Sequence, residues 1–230
     1  MVDIDEVTTA GGDEPSWKQR AVDRSTRAAK LRAEQRVQRF LDAAQSIITD
    51  KGTTDFTVQE VVDVSCQSLR SFYQHFDGKH ELLLALFEDA LRRATIQIAA
   101  AADAKTDPID ALRTGVQLLF ELSRPDPDAH RALFTEFAPR LLLTHPAEVR
   151  RAHAPLLDLL TVLTARARQA GRLRSGADPR RVAALAMATV MFTAQTSGAP
   201  DPGRPADASE NVRPVSADEI WDFVAHGIAG

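Results

Sequence analysis

The residues best suited to binding chemistry lie together in residues 68–76, Ser-Leu-Arg-Ser-Phe-Tyr-Gln-His-Phe. At about 100° per residue, three apolar side chains of this stretch fall on one side of a helix: Leu69, Phe72 and Phe76. Polar side chains occupy the other side, with the chain's single tyrosine, Tyr73, at the border: Ser68, Arg70, Ser71, Gln74 and His75. A short helix with an apolar back and a hydrogen-bonding front is suited to being held still while it reads another molecule.

Positive charge is concentrated just before this stretch. Residues 18–39 hold eight Lys or Arg and only two acids, in a chain whose net charge is −4. Such a segment in an acidic protein favours a polyanion partner, and the alternative is an ordinary solvated helix face. The segment is interpreted either as an extended first helix or as a flexible arm along DNA, and in both cases attraction to phosphates is expected.

Other chemistries find little support in the sequence. No nucleophile, acid–base pair or Gly-rich phosphate loop occurs at a recognisable spacing, so we expect no catalytic residues, no enzyme activity and no cofactor. Three histidines lack a partner at ligand spacing, so no metal site is expected: His130, His145 and His153. The single cysteine, Cys66, excludes an internal disulfide, and it is more simply a small turn residue than a thiol sensor.

No apolar run approaches the ~20 residues that span a bilayer, and the N-terminus has no signal-peptide pattern. We therefore expect a cytoplasmic protein without a membrane partner.

Helical periodicity then predicts the elements that position residues 68–76. A first helix is predicted over 34–51, and a second opens at the capping-box pair Thr57 and Glu60. After a break at 65–67, Ser68 fits the N-cap of the next helix. Two short helices joined by about three residues, after a longer first helix, are typical of a helix-turn-helix unit.

The rest of the chain also has helical spacing, without strand-like alternation, so the predicted fold class is all-α. Residues 1–17 are expected to be disordered, and the Pro- and Gly-rich residues 197–214 to form a mobile loop. Further helices are predicted over 79–102, from Pro108 to about 123, over 128–137, over 145–171 with a kink or break at Pro155, over 179–197, and from the second capping-box pair Ser216 and Glu219 onward.

Residues 57–82 resemble the motif of the TetR family of bacterial repressors, T-V-x-x-I-A-x-x-A-G-V-S-x-G-T-L-Y-x-Y-F-x-S-K-E-E-L. The stretch Phe-Leu-Asp-Ala-Ala-Gln-Ser-Ile-Ile-Thr-Asp-Lys-Gly at 40–52 is similar to the family's first helix. The likeness covers about 50 residues, and ten motif positions fall in register without a gap: Thr57, Val58, Val61, Ser68, Phe72, Tyr73, Phe76, Lys79, Glu81 and Leu82.

The resemblance implies an N-terminal three-helix DNA-binding domain, a helical effector domain, and a homodimer paired through its last two long helices. We therefore expect a disordered or basic arm over 1–33, a helix-turn-helix domain over 34–80, and a ligand-binding and dimerisation domain over 81–230.

The resemblance also implies DNA contacts, position by position. Base edges or their methyl groups are expected to meet Leu69, Arg70 and Tyr73; phosphates are expected to meet Ser71, His75, Lys79 and Thr57; Gln59 and Ser68 are further DNA-binding candidates. Helical spacing places Leu69 on the apolar side, whereas the family position faces DNA, and both interpretations stay open.

The turn departs from the family pattern, because Ser65-Cys66-Gln67 replaces Ala-Gly-Val, and Arg70 replaces a later Gly. A non-Gly residue with positive φ costs on the order of 1 kcal/mol, so the turn is either slightly strained or differently shaped.

Seven apolar residues are expected either to line an effector cavity or to form ordinary core: Phe120, Phe134, Phe137, Leu141, Met187, Met191 and Phe192. The predicted function is a sequence-specific DNA-binding regulator, a repressor that a small hydrophobic effector releases from a double-stranded DNA operator. The alternative is a helical ligand carrier or protein-interaction module that has lost DNA binding.

Overall fold

A computed structural model describes residues 16–124, 133–173, 176, 178–196 and 214–228. These residues form nine α-helices and no β-sheet, which confirms the predicted all-α class. A single π-helical turn, Leu133–Phe137, leads into the sixth helix. The helices are α1 Ser16–Lys51, α2 Val58–Ser65, α3 Leu69–Tyr73, α4 Lys79–Asp103, α5 Pro108–Ser123, α6 Ala138–Thr144, α7 Pro146–Gln169, α8 Pro179–Thr196 and α9 Ala217–Ile228.

Several sequence predictions fall on residues outside this description. They are most of the disorder expected over residues 1–17, the first part of the helix predicted over 128–137, and most of the loop predicted over 197–214. The last two residues of 1–17, Ser16 and Trp17, are helical, so the prediction is wrong for them. Among the described helices, none is both long enough and apolar enough to cross a membrane.

The first helix is longer than its apolar pattern predicts, because it begins at Ser16 rather than near residue 34. Residues 17–36 are exposed apart from two half-buried alanines, so tertiary packing does not account for this extension. The segment contains neither Gly nor Pro and is rich in Ala, Arg, Gln and Lys, which favour helix without burial. Of the two interpretations of residues 18–39, the structure has the extended helix.

The two short helices begin at the caps that the sequence predicts. The Thr57 hydroxyl accepts from the backbone N–H of Glu60, whose carboxylate accepts from the N–H of Thr57. The Ser68 hydroxyl accepts from the backbone N–H of Ser71 and opens α3. A five-residue helix is too short to be stable alone, so these caps and its packing must hold it.

The turn between α2 and α3 depends on Cys66, which has φ 52° and ψ 37° in the left-handed region. It is the sole non-Gly residue with positive φ in the described part of the chain. The N–H of Cys66 donates to Asp63 and that of Gln67 donates to Val62, which is the Schellman pattern of hydrogen bonds. The chain therefore keeps the turn geometry of a glycine and adopts it with a cysteine.

An aromatic cluster holds α3 against α1. The Phe72 ring meets the Phe40 ring edge-on at 5.4 Å between centroids, and Phe76 lies 5.4 Å from Phe72 and 6.2 Å from Phe40. Phe40 and Phe72 are fully buried. Phe76 belongs to the core as predicted, although it lies three residues beyond the end of α3.

The C-terminal helices pack around α5, which contacts α4, α7, α8 and α9. Gly115 allows the close approach of α5 and α7, since a Cβ there would lie 2.9 Å from the Leu163 Cδ1 atom. The sequence predicted either a kink or a break at Pro155. Helix α7 continues through this proline, so it does not break there. Ala152 and Leu156 are buried on either side of this proline, and their packing offsets the lost backbone hydrogen bond.

We expect Cys66→Gly to raise the free energy of unfolding by up to about 1 kcal/mol, because glycine adopts the left-handed conformation without steric cost. Cys66→Ala is the matched control, since it removes the thiol and keeps the Cβ. Chemical denaturation of both variants measures the difference, and a glycine variant less stable than the alanine variant would contradict the strain argument.

Candidate nucleic-acid interface and effector cavity

The outer face of α3 presents three neighbouring side chains to solvent. Tyr73 is 56 % exposed and Leu69 is 43 % exposed, and Arg70 is exposed as well. Within the described residues, no hydrogen bond or ion pair engages the Arg70 guanidinium. The Tyr73 ring packs edge-on against Phe72 at 5.4 Å, so its position is fixed from behind.

Leu69 therefore lies on the outer face, and the helical-spacing interpretation that put it on the apolar side is wrong. The reason is the length of α3, which starts at Leu69 and ends at Tyr73. A side chain at the first position of such a short helix does not reach the core that Phe72 enters.

The serines of α3 differ from their expected phosphate-binding arrangement. Ser68 is exposed, but its hydroxyl is the cap of the helix. The Ser71 hydroxyl oxygen is buried and has no hydrogen-bond partner within the described residues. In this conformation Ser71 does not present its hydroxyl to a phosphate, because the side chain points toward the body of the domain.

The two candidates on α2 are already engaged inside the protein. The Thr57 hydroxyl donates to the Glu60 carboxylate at 3.1 Å, and the Gln59 amide donates to Asp63 at 2.7 Å. The side-chain hydrogen bond from Lys51 and the backbone N–H of Thr57 lower the pKa of Glu60 to about 2. A permanent negative charge beside Thr57 disfavours a phosphate there. The main role of Thr57 in this conformation is therefore to cap α2.

Lys79 and His75 flank α3 on its C-terminal side, and both are partly buried. The Lys79 ammonium lies 3.7 Å from the Asp55 carboxylate and 4.8 Å from the centre of the Phe56 ring. A phosphate at Lys79 would therefore have to compete with Asp55 for this ammonium.

Residues 18–39 of α1 form a basic rod next to this unit. All eight of its Lys and Arg side chains are exposed: Lys18, Arg20, Arg24, Arg27, Lys30, Arg32, Arg36 and Arg39. Twenty residues of helix span about 30 Å, so this charge extends well beyond α2 and α3.

An apolar cavity of about 660 Å³ lies between α4, α6, α7 and α8. Four of the seven predicted pocket residues line it: Phe134, Met187, Met191 and Phe192. Its polar groups are few, and they include His153, Arg150 and Arg180. Burial lowers the pKa of His153 below its ordinary value of 6.5, which keeps the imidazole neutral at pH 7.

The other three predicted pocket residues lie elsewhere. Phe120 is fully buried in the core and is not part of this cavity's lining, so it is an ordinary core residue. Phe137 and Leu141 line a second, polar cavity of about 650 Å³ between the helix-turn-helix unit and the C-terminal helices. Apolar spacing alone does not separate a residue that faces a cavity from one that faces another helix.

A carboxylate joins the two halves of the chain at this second cavity. One oxygen of Glu136 accepts three hydrogen bonds, from the Thr54 N–H at 2.9 Å and from the hydroxyls of Thr53 and Thr54 at 2.9 and 3.1 Å. The Thr54 N–H is the main reason that the pKa of Glu136 is lowered. Sequence reasoning missed this residue, because its partners lie 82 and 83 positions away and nothing local marks the pair.

Comparison with known proteins agrees with this arrangement. The family model of bacterial regulatory proteins of the tetR family matches residues 40–86. The transcriptional regulator EthR of Mycobacterium tuberculosis is 26 % identical over 175 residues, which are 75 % of this chain and 78 % of EthR. The transcriptional activator FasR of Mycolicibacterium smegmatis is 28 % identical over 108 residues, 47 % of this chain and only about half, 49 %, of FasR.

The fold is also similar to a solved structure, that of the transcriptional regulator FadR from Bacillus subtilis in complex with stearoyl-CoA. The two share 16 % identity at a TM-score of 0.60, and the match covers 83 % of this chain and 98 % of FadR.

A capped helix-turn-helix unit on an all-α body, with these relatives, defines a DNA-binding transcriptional regulator. The motif that residues 57–82 carry lies inside the matched range, as the resemblance predicted. Residues 40–86 thus match the tetR family over the DNA-binding unit, and the chain resembles known transcriptional regulators over most of its length.

Proposed function

We propose that the chain is a homodimeric cytoplasmic repressor that reads its operator with α3 and leaves it when an apolar molecule fills the cavity between α4, α6, α7 and α8. One observation carries the DNA-binding part of this proposal. Arg70 and Tyr73 stand exposed on a helix that the Phe40–Phe72–Phe76 cluster fixes from behind.

The roles on α3 follow from exposure and from the absence of competing contacts. Leu69, Arg70 and Tyr73 meet base edges in the major groove, and the guanidinium of Arg70 suits the O6 and N7 atoms of a guanine. His75 and Lys79 meet phosphates at the end of the helix, where a phosphate replaces Asp55 as the partner of the Lys79 ammonium. The basic rod of α1 adds sequence-independent attraction to the phosphate backbone.

We assign residues 34–80 to the DNA-binding domain and residues 81–230 to the ligand-binding and dimerisation domain. The basic segment before residue 34 continues α1 rather than forming a separate arm. Within the second domain, cavity and dimer surface occupy different sides of α8.

Helices α8 and α9 are the proposed dimer surface. Phe223 is 66 % exposed and Leu185 is 65 % exposed, and both line an apolar groove between these helices. Three other apolar residues of these two helices are buried within the chain, because α8 and α9 both pack on α5: Val190, Trp221 and Val224. A second copy that covers Phe223 and Leu185 also supplies the second α3 that a two-fold operator requires.

The π-helical turn supports a mechanism for release. Phe134 at its start lines the apolar cavity, whereas Glu136, two residues on, binds the loop between α1 and α2. An apolar ligand against Phe134 shifts this turn, and the Glu136 hydrogen bonds carry the shift to the DNA-binding unit. Ligand and DNA then favour different states of one junction, and this difference is what couples the two sites.

The cavity favours an apolar ligand that has an acidic end. Its walls are mostly aromatic and aliphatic, while Arg150 and Arg180 also line it. Arg180 is paired with Asp158 at 2.7 Å, which leaves Arg150 as the better partner for a carboxylate. The stearoyl-CoA bound to FadR is a precedent for an acyl chain in this fold.

Arg70→Ala should cost roughly 1–3 kcal/mol at the operator and relax the preference at one base pair of each half-site, because a bidentate contact to guanine is lost. DNA from upstream of the protein's own gene first locates the operator, and a panel of singly substituted operators then measures the preference by fluorescence anisotropy. The control Arg36→Ala lies on the basic rod and should weaken all sequences about equally. If Arg70→Ala also weakens every operator by one factor, the base-reading role is wrong; if the wild type binds ligand and no DNA, the carrier alternative holds.

Phe223→Glu should convert the dimer into a monomer, because a charge would be buried at the centre of the apolar surface. Light scattering of the wild type should give twice the 25.1 kDa chain mass at micromolar concentration. Ile96→Glu is the matched control, since Ile96 is 55 % exposed on α4. Equal masses for both variants would rule out this surface.

Glu136→Gln should leave ligand affinity unchanged while reducing, by at least about tenfold, the loss of DNA affinity that the ligand causes. The probes are saturated fatty acids from octanoate to stearate, with the corresponding alcohols as neutral counterparts. Calorimetry measures binding, and anisotropy measures DNA release. Met191→Trp, which fills the cavity, should abolish both ligand binding and DNA release. If the ligand still releases Glu136→Gln from DNA as it does the wild type, the coupling does not pass through Glu136.

A further inference from the structure

Two histidines and a glutamate converge at the junction between α4, α6 and α7. His80 lies in the first turn of α4, His145 follows the end of α6, and Glu148 lies in the first turn of α7. One candidate ligand atom from each residue lies within 4.8 Å of the other two. The His80 Nε2 atom is 3.3 Å from the Glu148 Oε2 atom, and the two imidazole rings are 5.0 Å apart.

We propose that these three residues bind a divalent transition metal, with Zn²⁺ as the best fit. Two imidazoles and one carboxylate are a donor set that zinc takes in proteins, with a water molecule in the fourth position. The site goes beyond the proposed effector cavity, since none of the three residues lines that cavity.

The separations are close to what a metal requires. Around tetrahedral zinc, with bonds of about 2.0–2.1 Å, neighbouring ligand atoms lie about 3.3 Å apart. His80 and Glu148 already have this separation, and a ring rotation of His145 closes the remaining distance. Both histidine side chains are exposed, so a hydrated ion has access.

Hydrogen bonds and charges around the cluster support the same assignment. The His145 Nδ1 atom lies 2.9 Å from the Thr144 hydroxyl, which is the kind of contact that orients metal-binding imidazoles. The nearest cation along the chain, Lys79, is directed to Asp55. An ordinary ion pair between His80 and Glu148 would account for two of these residues, but it leaves the approach of His145 unexplained.

Bound metal would tie the start of α4 to the start of α7. Helix α4 begins directly after the DNA-reading unit, and α7 lines the effector cavity through Val149, Arg150 and His153. Occupancy would therefore stabilise one relative position of the two domains. Sequence spacing does not reveal the site, because His80 and Glu148 lie 68 residues apart.

Equilibrium dialysis of the full chain without an affinity tag, against micromolar Zn²⁺, tests the proposal. We expect one ion per chain in the wild type, and affinities at least about tenfold weaker in His145→Ala and Glu148→Gln. His226→Ala is the matched control, because His226 is an exposed histidine on α9 outside the cluster, and it should bind as the wild type does. Circular dichroism verifies that each variant is folded.

Co²⁺ provides an independent readout, because a tetrahedral site with nitrogen and oxygen ligands gives intense visible absorption. That absorption should be present in the wild type and in His226→Ala and be lost in His80→Gln. A wild type that binds no metal would overturn the proposal. So would unchanged binding in the cluster variants, which would place the metal elsewhere on the chain.

Discussion

Packing of the Phe40 ring edge-on against Phe72 and Phe76 is the interaction on which the proposed DNA-reading surface depends. Helix α3 has five residues and cannot be stable in isolation, so its orientation must come from burial and from the Ser68 cap. Rings 5.4 Å apart in a T-shaped contact resist sliding as well as separation. Phe72 is buried in the core, whereas Arg70 and Tyr73 of the same short helix are exposed. Because the cluster fixes the helix, it also fixes the positions from which Arg70 and Tyr73 extend.

The sequence specifies this part of the molecule well, because its determinants are local. The caps at Thr57 and Ser68 act over three residues, and Gly52 has the positive φ expected of a helix stop. The turn is more informative, since Cys66 adopts φ 52° where the family pattern has glycine. The conformation of the turn is imposed by α2 and α3, which are fixed by their own caps and core packing. The steric cost of the Cys66 Cβ is small compared with the stabilisation that these caps and this packing provide.

Other features of the molecule were not predictable in the same way. The start of α1 lacks an apolar stripe, so periodicity placed it about eighteen residues late, although intrinsic helix propensity extended the helix. Family position assigned Thr57 and Gln59 to DNA, although the predicted capping box already engages Thr57 with Glu60. The hydrogen bond from Gln59 to Asp63 is seen only in the structure. Phe134 and Phe120 share a residue type and helical spacing, yet one faces a cavity and the other the core.

The junction at Glu136 is the connection through which, in the proposed mechanism, the cavity influences the distant helix α3. Three donors on one carboxylate oxygen form a short, stiff connection, because a side chain that satisfies so many partners has little freedom to move alone. A connection that transmits a signal must also be able to change conformation, and Glu136 lies on a π-helical turn. A π turn is the less stable of two hydrogen-bond patterns available to the same backbone, and in the proposed mechanism a ligand contact at Phe134 changes it. The proposed release needs such a connection on such a turn, because close-packed cores at both ends transmit a local change better than they absorb it.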